Sequence, residues 1–94
     1  MRCEFSARAE ADLESIGDYI AQDNPARALS FVQEIRQCCQ NTAAQPLAAP
    51  LRPEYGEGIR RLPFGRYIIF HSVRDQTLLI EHVRHSARKP EKVG

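Results

Sequence analysis

The segment GIRRLPFGRYIIFHSVRDQTLLIEHVRHSAR, residues 58–88, sets the architecture of this 94-residue chain. It divides into a short apolar run at 59–62, a Pro63-Phe64-Gly65 corner, a longer run at 66–73, an Arg74-Asp75-Gln76 break and a final run at 77–85. Runs of this length between turn-forming residues are typical of β-strands joined by hairpins. The segment therefore predicts a three-stranded antiparallel meander.

The middle strand of this meander carries large side chains on both of its faces. Tyr67, Ile68, Ile69 and Phe70 are consecutive, and successive residues of a strand point to opposite sides of the sheet. Each side therefore needs a cover. We expect helices from the N-terminal half to cover one side and a separate protein to cover the other.

Two amphipathic helices are predicted before the meander. Residues 2–5 predict a first strand, which ends at Ser6, a good N-cap for a helix over about 7–22. Asn24 and Pro25 are typical of the start of a second helix, which should end before Pro46. The apolar positions at helical spacing are Ala9, Leu13, Ile16 and Ile20 in the first helix and Phe31, Val32 and Ile35 in the second.

The resulting order β-α-α-β-β-β indicates an α+β fold. We expect a helical hairpin packed on one face of a small, mainly antiparallel sheet, within one domain that spans residues 1–94. Residues 46–57 contain three prolines and predict a stiff connector between the second helix and the meander.

Composition narrows the classes of function. A chain with 43% hydrophobic and 27% charged residues and no long apolar run predicts a cytoplasmic protein without a membrane segment. The three cysteines are an odd number and include the neighbours Cys38 and Cys39, which favours reduced thiols. His82 and His85 are three residues apart on a strand and should point to opposite faces, so we expect no metal site and no cofactor.

Charge is distributed unevenly along the chain. Residues 1–45 carry four Arg against seven acidic residues, whereas residues 46–94 carry nine basic residues against five acidic ones. A basic sheet half is compatible with an acidic partner surface or with nucleic acid, but a solvated charged face gives the same imbalance.

Several short motifs occur together in a fixed order. They are Ser6-x-x-Ala9-x-x-Asp12-Leu13-x-x-Ile16-x-x-Tyr19-Ile20, Asn24-Pro25-x-x-Ala28, Gly58-Ile59-Arg60, Tyr67-x-x-Phe70 and Val83-Arg84-His85-x-Ala87-Arg88. With these motifs the chain resembles the RelE/ParE superfamily of bacterial toxins over nearly its whole length, and it is most similar to the ParE branch.

The resemblance implies a fold, a partner and a target. It implies the toxin of a type II toxin–antitoxin module, held in a hetero-oligomer by a ParD-like antitoxin. In the ParE branch it further implies a toxin that inhibits DNA gyrase by binding, without catalysis and without sequence-specific DNA contacts of its own. The alternative is a RelE-like ribonuclease that cleaves messenger RNA on the ribosome.

Two groups of candidate residues follow from these expectations. For the target we expect contacts from Arg60, His85 and Arg88, and the same three residues would be catalytic in the ribonuclease alternative, with His85 as acid or base. RelE-like ribonucleases usually carry further basic residues, yet no lysine precedes Lys89 here, which favours the ParE branch. For the antitoxin we expect contacts from Tyr19, Tyr67, Ile69 and Phe70.

Overall fold

The computed structural model describes residues 1–87 and 92–93. Within these residues two α-helices follow a first strand, and three further strands come after the helices. The elements are β1 (Arg2–Phe5), α1 (Ala7–Ala21), α2 (Pro25–Thr42), a short 3-10 helix (Pro53–Tyr55), β2 (Arg60–Phe64), β3 (Tyr67–Arg74) and β4 (Thr77–His85). The predicted α+β order and the helical hairpin on one sheet face are confirmed.

Both helices begin at the residues that the sequence predicts. The Ser6 hydroxyl accepts a hydrogen bond from the Ala9 N–H at 3.0 Å, and the Asn24 side chain accepts one from the Arg27 N–H at 3.0 Å. Each bond satisfies one of the backbone donors that a helix leaves free in its first turn. Ser6 also donates to the Glu81 carbonyl at 2.9 Å, so the start of α1 is fixed to β4.

The four strands form one mixed sheet in the order β1-β4-β3-β2. β1 runs parallel to β4, and the β2–β3 and β3–β4 pairs are antiparallel. The predicted Pro63-Phe64-Gly65 corner is wrong in its position, because β2 continues through Phe64 and pairs it with Tyr67, so that Gly65 and Arg66 make the turn. Gly65 has φ +57, a value that a glycine adopts without strain.

A β-bulge at Glu81 reverses the alternation of side chains in β4. Phe70 pairs with His82, whereas the next residue, His71, pairs with Ile80, which leaves Glu81 without a partner. As a result Ile80 and Val83 both face the helices, although an odd separation along a regular strand would place them on opposite sides.

The core lies between the helical hairpin and the sheet. The buried residues of this layer are Ala9, Leu13, Ile16, Ile35, Cys39, Ala43, Ile69, Leu78, Ile80 and Val83. Of the seven predicted stripe positions, four are buried, and Ile20, Phe31 and Val32 are only half-buried at the edge of the same cluster.

The opposite face of the sheet is covered by the chain itself, so the prediction that a separate protein covers this face is wrong. Tyr55 and Ile59 of the connector pack on Ile68 and Phe70, and Val93 adds to this second cluster. The Val93 N–H donates to the Tyr55 carbonyl at 2.6 Å. The proline-rich connector therefore covers this face of β3.

We predict that Leu13→Ala lowers the free energy of unfolding by about 2 to 5 kcal/mol, because Leu13 is 2% exposed within the main core. Leu29→Ala is the matched control, since Leu29 is 65% exposed and its truncation should change stability by less than about 0.5 kcal/mol. Urea titrations of both variants measure the difference. Equal losses in the two variants would contradict the packing of α1 described above.

Candidate functional site

Three of the predicted site residues meet in a shallow depression between α1 and one end of the sheet. Tyr19 comes from α1, Tyr67 from the start of β3 and His85 from the end of β4. The depression has a volume of about 270 Å³, and its remaining lining residues are Asp12, Ser15, Ile16, Val83 and Arg84. A residue expected to contact the target thus lies beside two residues expected to contact the antitoxin.

Aromatic contacts fix the wall of this depression. The Tyr67 ring lies 5.6 Å from the Phe31 ring of α2 and 5.4 Å from the His85 ring, which meets it edge-on. Burial raises the pKa of the Tyr67 hydroxyl, and the nearby Tyr19 raises it further, so the Tyr67 phenol stays protonated at neutral pH. Tyr19 is 69% exposed and extends this aromatic surface toward solvent.

A hydrogen bond within the turn that follows β4 fixes the ring of His85. Its Nδ1 accepts a hydrogen bond from the Ala87 N–H at 3.1 Å, which places the ring proton on Nε2. Nε2 is therefore the nitrogen that is available to a bound molecule.

The Asp12 carboxylate joins α1 to the free edge of β4. Its Oδ2 lies 2.5 Å from His82 Nδ1 and accepts a second hydrogen bond from the Val83 N–H at 2.9 Å. β1 ends opposite Ile80, so the edge of β4 beyond this point has no strand partner among the described residues. Asp12 supplies the missing acceptor, as a buried backbone donor requires.

His82 is the buried partner in this contact. It is 2% exposed, its ring stacks on Phe70, and its Nε2 lies 3.3 Å from the Arg8 guanidinium. Since guanidinium can only donate, Nε2 accepts and Nδ1 carries the proton that is donated to Asp12. Burial lowers the pKa of His82, an effect that Asp12 offsets only in part, which agrees with a neutral ring.

Arg60 and His85 are not neighbours in the sheet, so the structure does not bring together two of the residues expected to contact the target. Arg60 pairs with His71 in the middle of β3, whereas His85 pairs with Tyr67 at its start, which places them about 13 Å apart along the strand direction. The Arg60 guanidinium donates to the carbonyls of Leu47 and Ala49 at 3.0 and 2.7 Å. It therefore anchors the connector.

Two of the residues predicted to contact the antitoxin are buried in this conformation. Ile69 and Phe70 are both 0% exposed, because the helices cover Ile69 and the connector covers Phe70. Neither side chain can reach a partner while the two clusters are intact. Arg88, the remaining predicted residue, lies outside the described residues.

Sequence reasoning missed the polar groups beneath the depression. Asp12 and His82 are 70 residues apart in sequence, so no local pattern could pair them. Arg84 is 5% exposed, and its guanidinium lies 4.8 Å from the Phe70 ring centroid and 5.5 Å from that of Tyr55. Its strand position after the bulge, which the sequence does not show, decides this placement.

The described part of the chain offers no cluster of three or more His, Cys, Asp or Glu side chains that could hold a metal ion. Within the same residues, neither helix has the length and apolar content that crossing a membrane requires. The depression combines two tyrosine rings, one imidazole, a carboxylate and an arginine side chain, a combination that suits recognition of another molecule.

Comparisons with known proteins agree with this architecture. The family model described as "ParE toxin of type II toxin-antitoxin system, parDE" matches residues 3–90. Among solved structures, a chain of the chromosomal ParDE toxin–antitoxin system from P. aeruginosa is similar, with a TM-score of 0.76 and 25% identity over 90% of this chain and 95% of that chain. A chain of the RelBE2 toxin–antitoxin complex from Mycobacterium tuberculosis has a TM-score of 0.66 and 22% identity over 89% of this chain and 95% of that chain. No curated protein matches.

A second buried histidine provides a test of the core around β3. His71 is 0% exposed, and neither ring nitrogen has a hydrogen-bond partner among the described residues. Burial, together with the positive charge of Arg60, lowers the pKa of His71 to about 4. Protonation is therefore easier in the unfolded chain, where a histidine has a pKa of about 6.5.

We predict that this difference removes stability as the pH falls. The neutral His71 ring makes its full contribution to the free energy of unfolding above about pH 6.5. As the pH falls from 6.5 to 4, the free energy of unfolding decreases progressively, by about 3 kcal/mol in total. His71→Leu should flatten this part of the pH profile and leave stability at pH 7 unchanged or higher, because it removes an unpaired buried polar group. Unfolding titrations at several pH values measure both profiles, and parallel profiles for the two proteins would refute the assignment.

Proposed function

Because the chain belongs to the ParE toxin family of type II toxin–antitoxin systems, we propose that it inhibits growth in the cytoplasm by binding DNA gyrase and that a ParD-like antitoxin neutralises it. The similar P. aeruginosa structure belongs to a ParDE system, which supports an antitoxin of the ParD type. The target and the identity of the antitoxin are parts of this proposal.

The separation of Arg60 from His85 favours a binding mechanism over RNA cleavage. Cleavage of RNA requires an acid, a base and a cation that converge on one phosphate. Here the Arg60 guanidinium is held by two connector carbonyls, about 13 Å along the strand direction from His85, which lies against Tyr67. A toxin that acts by holding its target needs only a complementary surface, which the depression provides.

The same depression accounts for neutralisation. Tyr19 and Tyr67 line it together with His85, so an antitoxin segment that covers the two tyrosines would also cover the histidine. The exposed ring of Tyr19 beside the half-buried, protonated phenol of Tyr67 is suited to anchor a protein partner. We therefore propose that antitoxin and gyrase compete for this depression.

Expression of the toxin without its antitoxin tests the proposal through two simultaneous readouts. We expect purified gyrase to lose supercoiling activity and to accumulate broken DNA, while ribosome-bound messenger RNA stays intact. Tyr19→Ala should weaken the effect on gyrase by about tenfold, as expected for loss of an aromatic anchor. Gln33→Ala, at an exposed position of α2, is the control and should behave as the wild type.

The opposite pattern would reject this mechanism. Rapid cleavage of ribosome-bound messenger with unaffected gyrase would establish the ribonuclease alternative, in which His85→Ala should reduce the cleavage rate by about 10² to 10⁴. An expressed protein that leaves growth, gyrase and messenger unchanged would contradict the toxin role itself.

A further inference from the structure

A row of arginines follows the edge of the sheet that β2 forms. Residues 50–66 contain four arginines against two glutamates, and one of the four, Arg60, anchors the connector. The other three are Arg52 in the connector, Arg61 in β2 and Arg66 in the turn that joins β2 to β3. These three residues form the arginine stripe. The proposed competition for the depression does not use them.

Backbone pairing places Arg52 and Arg61 on one face of this edge. The Arg52 N–H donates to the Ile59 carbonyl at 2.8 Å. The Arg61 N–H donates to the Pro50 carbonyl at 3.1 Å, so the connector pairs antiparallel with the start of β2. Because Arg61 is two residues after Ile59, its side chain points to the same face as Arg52, which lies opposite Ile59. The two arginines are therefore diagonal neighbours about 7 to 8 Å apart, and both can reach one stretch of a bound polyanion.

The guanidinium groups of the stripe make no hydrogen bond with the described residues. The Nε atoms of Arg52 and Arg61 are shielded from solvent without an acceptor, and Arg66 is exposed without an ion pair. Arg52 Nε lies 3.3 Å from Glu54 Oε2, but this ion pair is exposed to solvent and contributes little. Each guanidinium has five N–H donors, so the stripe keeps most of its donors for a ligand.

Arginines on the helices differ from the stripe in this respect. Arg27 lies 2.6 Å from Glu34, and Arg36 lies 2.5 Å from Glu10. Their positive charges are matched by neighbouring carboxylates. An anionic ligand would therefore gain more from the stripe than from these positions on the helical hairpin.

The edge of β2 beside the stripe is closed to a further β-strand. The Arg61 N–H points away from β3, and the next outward position belongs to Pro63, which has no N–H. A proline on an edge strand prevents another strand from pairing there. An extended peptide bound through its backbone therefore does not fit this edge. Phosphate groups fit better, because they accept bidentate hydrogen bonds from guanidinium side chains.

One end of the stripe lies beside the depression. Arg66 precedes Tyr67, and its carbonyl accepts from the N–H of Ser86, the residue after His85, at 2.8 Å. Arg61 lies five residues before Arg66, so the chain between them spans at most about 18 Å. This length corresponds to about five nucleotides of a DNA strand, at roughly 3.4 Å each. A DNA backbone on the stripe and a protein at the depression would lie side by side.

We propose that the arginine stripe binds the phosphate backbone of duplex DNA without reading its sequence. This assignment rests on the proposed function, because gyrase supplies both a protein surface for the depression and the DNA for the stripe. A toxin favours the DNA-bound state of its target only through contacts that the DNA-free state lacks. The stripe provides such contacts, since its arginines hold the DNA while the depression holds the enzyme.

Titration of a fluorescently labelled DNA duplex with the purified toxin tests the stripe without gyrase. Anisotropy should show binding that weakens with salt and is equal for two duplexes of unrelated sequence. The double variant Arg61→Gln and Arg66→Gln should raise the Kd about tenfold and reduce the slope of log K against log salt concentration by about two. The double variant Arg2→Gln and Arg27→Gln removes the same charge from β1 and α2, and it should change both values much less. Thermal melting verifies that both variants are folded.

A gyrase assay with the same proteins links the stripe to the proposed function. The stripe variant should require about tenfold more toxin than the wild type to accumulate the same amount of broken DNA, because two phosphate contacts are lost. The charge control with substitutions at Arg2 and Arg27 should act at nearly the wild-type concentration.

The outcomes separate this inference from the proposed function. Equal Kd values and salt slopes for the wild type and the stripe variant would overturn the assignment, as would a wild type that does not bind duplex DNA at low salt. Tighter stripe-dependent binding to single-stranded RNA, or to vesicles that contain phosphatidylserine, would overturn it in favour of that ligand. Gyrase poisoning that the stripe variant retains in full would overturn the stripe and leave the proposed function standing. A toxin that binds DNA through the stripe but leaves gyrase unaffected would overturn the proposed target and retain the DNA site.

Discussion

The hydrogen bonds of the Asp12 carboxylate hold the two layers of this protein in the arrangement that creates its surfaces. Asp12 Oδ2 accepts from His82 Nδ1 and from the Val83 N–H, which belongs to the part of β4 that β1 does not cover. Because a charged acceptor strengthens both bonds and an unpaired buried N–H is costly, this contact fixes the position of α1 over the sheet. Tyr19, two turns further along α1, is thereby placed opposite Tyr67.

The bulge at Glu81 makes this arrangement possible. It directs His82 toward Phe70 and lets Val83 face the helices, whereas a regular strand would send the imidazole into the core. Burial of the His82 imidazole would be costly without hydrogen-bond partners. Asp12 and Arg8 provide them, one at each ring nitrogen. The depression therefore lies beside one well-anchored helix.

Local sequence chemistry predicts most of the fold but only part of the candidate site. Ser6 and Asn24 mark the two helix starts, and helical spacing identifies Leu13 and Ile35 as core residues, because these signals depend on near neighbours. The bulge and the pairing of Asp12 with His82 depend on residues far apart in sequence. The cover over Phe70 likewise depends on how the connector folds back onto the sheet. The local sequence does not show this fold-back, and it therefore predicts a separate protein on that face of the sheet.

Hydrogen exchange at the Val83 amide in wild type and Asp12→Ala is the most direct test of this account. If Asp12 holds the edge of β4, the Val83 amide should be protected in the wild type and should exchange roughly fivefold to thirtyfold faster in the variant, because about 1 to 2 kcal/mol of local stabilisation is lost. The amides of the β2–β3 ladder serve as the internal reference for global stability. Equal Val83 exchange rates in the two proteins, relative to that reference, would contradict the claim that Asp12 holds α1 to the sheet.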